Sequence, residues 1–150
     1  MKNINFSNGG IIKIKKEEIK KLKAQAKSAP LKRARLCLHK DENDSLQEMV
    51  IVLCKDSYIK PHRHKGKDEL IHVMEGSFYL FTFDRHGRVV ERVLLKQSGI
   101  RSYSLCRVRE NMWHTIIPLS RFVVFHEVIR GPFKGAKAKE FAPWAVDKSE

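Results

Sequence analysis

Beyond Pro30 the chain stops reading with a helical period and starts reading with a strand period. Short apolar runs with alternation recur at 33–38, 47–53, 58–64, 69–75, 77–83, 89–95, 102–107, 114–117 and 121–129. Turn chemistry separates them, in Asp41-Glu42-Asn43-Asp44, Glu75-Gly76-Ser77, Asp84-Arg85-His86-Gly87 and Leu119-Ser120. Asp84 to Gly87 between two apolar runs is a hairpin signal. Evenly spaced short strands with no helices between them bury their apolar faces by closing into a barrel or a sandwich. The expected fold class is therefore all-β, with one short N-terminal α-helix.

That helix is expected over 13–27, where Ile12, Ile19, Leu22 and Ala26 fall near one face and lysines fill the other. Ser28-Ala29-Pro30 ends it. Residues 1–10, with Ser7-Asn8-Gly9-Gly10, are expected to give a short strand and a turn. Residues 131–144, from Gly131-Pro132-Phe133 to Phe141-Ala142-Pro143-Trp144, read as irregular chain pinned to the barrel by its aromatics. Nothing resembles a linker or a repeat. The expected organisation is a basic segment at 1–32 and a barrel at 33–150, one domain in all.

A length of 150 residues supports a real core, and an apolar fraction of 42% argues against disorder. No run of 18 apolar residues exists, so no spanning helix and no membrane partner are expected. Met1 to Phe6 lack the apolar core of a signal peptide. Cys37, Cys54 and Cys106 are odd in number and form no CxxC pair, so they read as buried thiols in a cytoplasmic protein. Residues 1–36 carry eleven Lys/Arg against two Glu, a net of +9 within a total of +13. Such a segment attracts acidic partners in principle. It has no interleaved aromatics and no nucleic-acid recognition motif, so a solvated helix face is the weightier reading and nucleic acid is not expected.

The chemistry concentrates in Pro61-His62-Arg63-His64-Lys65-Gly66-Lys67-Asp68-Glu69, followed by Gly76. His62 and His64 share a strand face and can aim at one point. A short loop returns Glu69 to that point. A fourth ligand should come from a later strand, and His114 opens one. An isolated HxH pair is a common accident; Glu69, Gly76 and His114 at matching positions are what make it a site. Two or three imidazoles with a carboxylate suit one divalent first-row ion, and the residues leave Fe, Mn, Ni and Zn open.

Other residues divide between chemistry and packing. His126 and Glu127 are adjacent in a strand, so only one faces the interior. Glu127 is a candidate for orienting a ligand imidazole or moving a proton. Tyr58 shares parity with His62 and is a second candidate proton donor, against a packing role. Arg33 and Arg35 offer bidentate hydrogen bonds to an anion, or simply a charged surface. Parity sets Arg63 opposite His62 and His64, and sets His72 opposite Glu69. His86 falls in a hairpin turn. Trp113 reads as a plug near the barrel mouth.

His62-x-His64-x4-Glu69-x6-Gly76 resembles the first motif of the cupin superfamily, with Asp56 where cupins commonly carry glycine. His114 stands where the second motif has its histidine, although Arg109, Asn111 and Pro118 replace the usual neighbours. The chain resembles more closely the WbuC-type cupin-fold metalloproteins, encoded near surface-polysaccharide genes. The resembling segments are Arg33-Ala34-Arg35, Cys37-Leu38-His39, Gln47-Glu48-Met49, Tyr58 to His64, Gly66 to Glu69, Trp113-His114, Val124 to Glu127, Gly131-Pro132-Phe133 and Phe141 to Trp144. The resemblance implies a double-stranded β-helix, or jelly-roll barrel, with one divalent metal. It also implies a homodimer and a small-molecule ligand, with carbohydrate as one class. From it follows the expectation of a small metalloenzyme acting on a sugar or nucleotide-sugar in surface-polysaccharide (O-antigen) biosynthesis, as an isomerase or epimerase. An Fe(II)-dependent dioxygenase and a non-catalytic, metal-stabilised binding module are the alternatives the ligand set leaves open.

Overall fold

The computed structural model describes residues 4–6, 10–135 and 138–147. Two sheets face each other. The larger runs β1 (Ile4–Phe6), β2 (Arg33–Cys37), β3 (Leu46–Cys54), β10 (Phe122–Arg130), β5 (Glu69–Glu75) and β8 (Leu105–Val108) in spatial order. The smaller runs β11 (Glu140–Phe141), β4 (His62–Arg63), β9 (Trp113–Pro118), β6 (Ser77–Phe83) and β7 (Val89–Lys96). Only β1 and β2 pair in parallel; the other named pairs are antiparallel. This is an all-β barrel of two facing sheets with one short helix, as expected.

Period-two patterning decides which face each strand buries. Leu53, Ile71, Val73, Phe78, Leu80, Leu95, Val108, Ile116, Val123 and Phe125 fill the space between the sheets. On the outer face of the larger sheet, Ala34, Val50, Val52 and Val124 meet Leu22 and Ala26 of α1 (Lys16–Ser28). Burying that apolar stripe holds a helix that is otherwise lysine-rich. The helix starts at Lys16 rather than at 13, because the Lys15 N–H is taken by the Glu18 carboxylate at 2.6 Å. Ile12 therefore precedes the helix and is 38% exposed.

The expected strands 69–75 and 77–83 match β5 and β6, and Gly76 joins them at φ 78°. A side chain there would overlap the Phe122 carbonyl oxygen, so the tight turn requires glycine. Three expectations change. The strand expected at 58–64 contracts to β4, since Pro61 has no N–H to give a ladder. The strand expected at 102–107 becomes Leu105–Val108, following Arg101 at φ 61°. The stretch expected to be irregular contains β11, whose two residues pair with β4. Its aromatics do anchor it: Trp144 lies 5.0 Å from Phe83 and 6.4 Å from Trp113, between ring centroids. β1 bears out a strand within residues 1–10; the Ser7–Gly9 turn lies outside the described residues. Among the described residues no helix is long and apolar enough to cross a membrane.

Candidate metal centre

β4, β9 and β5 bring four polar side chains into the apolar interior. His62 pairs directly with His114 across β4 and β9. His64 follows β4 by one residue and so keeps the parity of His62. One ring nitrogen from each of the three histidines lies within 4.8 Å of the other two. The ring centroids stand 4.5 Å apart for His62 and His114, 5.1 Å for His62 and His64, and 5.8 Å for His64 and His114. Glu69 opens β5 after the loop through Gly66, which takes φ 66°. Its Oε2 lies 2.9 Å from His114 Nε2 and 3.8 Å from His64 Nε2.

The second nitrogen of every ring is engaged by the backbone. His62 Nδ1 lies 2.9 Å from the Lys60 carbonyl oxygen, His114 Nδ1 2.9 Å from that of Met112, and His64 Nδ1 3.2 Å from that of Ala138. A carbonyl only accepts, so each Nδ1 carries the proton. The neutral rings then present Nε2 lone pairs inward, the tautomer a metal ligand requires. Ala138 is the contribution of the C-terminal segment, and no sequence signal marks a backbone carbonyl for that task.

Electrostatics favour neutral imidazoles at His62 and His64 but not at His114. Burial pushes His62 down to about 3, and His114 adds to the effect. Burial also lowers His64. His114 is raised: burial opposes its charging, but Glu69 outweighs that opposition. Glu69 is lowered, because His114 and His64 overcome the effect of its burial. Its Oε2 is buried and accepts no well-aligned hydrogen bond, despite the 2.9 Å approach. A lone pair on His114 Nε2 facing a carboxylate oxygen at that distance calls for a proton or a shared cation. Donors about 2.0–2.2 Å from one ion sit about 3 Å apart when adjacent in its shell. The three imidazoles thus fit a divalent ion, and the Glu69 carboxylate stands against two of them, His114 and His64.

Glu127 and Tyr58 separate. Glu127 pairs in register with Met49 and Ile71 on the inner face of the larger sheet, while His126 turns outward to Glu48 at 2.7 Å. The Glu127 carboxyl is raised well above the usual range, first by burial and then by the charge of Glu69, with which it shares a hydrogen bond. Tyr58 has a hydrogen-bond partner in the C-terminal segment. Its hydroxyl donates to the Val146 carbonyl at 2.7 Å, because residues 58–61 are not a strand and parity does not carry back from His62. Of the remaining histidines, His39 binds the Glu48 backbone, His86 sits in the β6–β7 hairpin beside Arg85, and His72 is exposed. Arg63 faces away from the triad, stacked 4.3 Å from the Trp113 ring and bonded to Glu140 at 2.8 Å.

Fold and site together define a cupin-type barrel with a candidate metal centre. Residues 14–95 match the model of a family described as a domain of unknown function, DUF6016, and the chain belongs to that family. Among solved structures it is similar to protein SO0799 of Shewanella oneidensis, with 10% identity over 69% of this chain and 66% of that one, at a TM-score of 0.55. Oxalate oxidase in complex with the substrate analogue glycolate is similar at 14% identity over 77% and 58%, TM-score 0.57. A point variant of Bacillus subtilis oxalate decarboxylase is similar at 17% identity over 65% and 24%, TM-score 0.52. The chain therefore spans less than two thirds of the length of each of these proteins. No curated protein matches it.

Proposed function

We propose that this protein binds one divalent first-row metal through His62, His64, His114 and Glu69, and that it is a small metalloenzyme. One observation carries the reading: three buried imidazoles have their Nδ1 atoms occupied by backbone carbonyls and their remaining nitrogens gathered within 4.8 Å. When bound, such an ion supplies Lewis-acid polarisation of a carbonyl or hydroxyl. Glu127, whose carboxyl is pushed well above the usual range by burial and by Glu69, is the group we assign to hold and pass a proton. Tyr58, whose hydroxyl donates to the Val146 carbonyl, is the second candidate for that role.

The resemblance to WbuC-type proteins gives the substrate class, a sugar or nucleotide-sugar of surface-polysaccharide biosynthesis, with isomerase or epimerase chemistry in the cytoplasm. A homodimer and a functional barrel over 33–150, carrying the basic 1–32 segment, belong to the same reading. Protein reconstituted separately with Fe, Mn, Ni and Zn, and offered a panel of nucleotide-sugars, tests it. Metal-dependent turnover of one of them is the expected result. Oxygen uptake that needs iron and an organic substrate would replace the isomerase with a dioxygenase. Failure to bind or convert any of the panel would remove the carbohydrate assignment.

A further inference from the structure

Three cations gather on the inner wall, and one of them, Lys139, acts on all three histidines. Arg33 and Arg35 lie two apart on β2 and so share a face. That face is opposite to Ala34 and Leu36, which pack toward α1. In register, Arg33 and Arg35 stand beside Leu53 and Ile51, the residues of β3 that turn to the interior. Lys139 arrives from the other sheet. It follows Ala138, whose carbonyl holds His64, and precedes β11, where Phe141 pairs with His62. Its ammonium lies 5.1 Å from the centroid of the Phe141 ring.

None of the three cations makes a hydrogen bond or salt bridge from its side chain to a described residue, whereas Arg63, Arg107 and Lys65 all have carboxylate partners. They feel one another. Lys139 is lowered by burial and then by Arg33; Arg33 is lowered by burial and then by Arg35. The carboxylates that act on Lys139 are Glu127 and Glu69. Even with both ionised, the cations outnumber them, and a divalent ion would widen the excess. Like charges in a partly desolvated wall repel more strongly than in water, so the cluster is costly until an anion completes it.

We propose that Arg33, Arg35 and Lys139 form the anion-binding half of the site, taking the carboxylate or phosphate group of a small ligand whose other end faces His62, His64 and His114. Guanidinium forks match the paired oxygens of either group, and the ammonium adds a point charge. The placement of the ligand's other end rests on the metal reading above; the contact with the anion does not.

The test is calorimetric titration of inorganic phosphate and of malonate into the full chain, both metal-loaded and chelator-stripped, with metal content measured in every sample. The proposal expects at least one probe to bind at millimolar concentration or tighter. Arg35→Gln and Lys139→Gln should each weaken that binding about tenfold or more while metal content holds and the anion-free melting temperature does not fall. Arg33→Lys should weaken it less than Arg33→Gln, since it keeps the charge and loses only the fork. Binding of phosphate alone assigns a phosphoryl ligand; binding of malonate alone assigns a carboxylate. Absence of binding by both probes overturns the proposal, as does binding that all these variants leave unchanged. Wild type that binds an anion through these residues but takes up no metal would overturn the metal reading and leave the anion site standing.

Discussion

At the scale of single residues, the centre is a set of choices about where protons sit. Each backbone carbonyl at Lys60, Met112 and Ala138 fixes one imidazole tautomer. Burial then makes protonation of His62 expensive. The consequence for pH follows from linkage. A histidine whose folded pKa is about 3 against an ordinary 6.5 binds its proton more readily in the unfolded chain. It costs the metal-free protein stability as pH falls through 6.5 toward about 3. His114 acts in the opposite sense: its folded pKa is raised, so its stabilisation is present at low pH and lost as pH rises. Replacing His62 by Gln separates the two. Thermal melts of metal-free protein should show a shallower loss below pH 6.5 in His62→Gln than in wild type; parallel curves would show that His62 is not held neutral. His62, His64 and Glu69 were legible in the spacing from His62 to Gly76, and His114 as a histidine opening a later strand. Glu127, Arg33 and Arg35 were legible only as single candidates, and Lys139 not at all, because strand register and the docking of the C-terminal segment bring them together.

Among the elements, β4 and β11 are very short for the task they perform, two residues each. What steadies them is Arg63, which bridges Glu140 on β11 and the Trp113 ring on β9. Arg63→Ala should cost about 1–2 kcal/mol and weaken metal binding by loosening the carbonyl clamp on His64. A metal titration of the variant checks it, and unchanged affinity would show that β11 is not needed to hold that ring. The contrast is α1. Leu22 is 3% exposed and packs on the outer face of the larger sheet. Leu22→Ala should cost about 2–5 kcal/mol of stability and leave metal stoichiometry unchanged. Alternation along β5 and β6 was readable, since one face is buried and the other wet. β11 was not, because a two-residue strand has no period; only the docking of Trp144 and Phe141 places it.

Considered as a whole molecule, the protein is a barrel with an apolar core in its interior and a cluster of buried titratable side chains beside it. The larger sheet carries both on one face: Val73 and Ile71 belong to the core, and Glu69, next on the same face of β5, belongs to the titratable cluster. Ligands drawn from β4, β5 and β9 can meet only in the folded chain, so an ion held by them stabilises the native state by mass action. At about a thousandfold excess over its dissociation constant, an ion should add about 4 kcal/mol. A chelator should lower the melting temperature, and restoring metal should raise it again.

The most direct test of the metal centre is elemental analysis by mass spectrometry on tag-free protein, beside the His62→Ala/His64→Ala double variant. Close to one equivalent of a first-row metal in wild type, and almost none in the variant, is the predicted result. Metal absent from both after reconstitution, or equal in both, would contradict a centre built on His62, His64, His114 and Glu69.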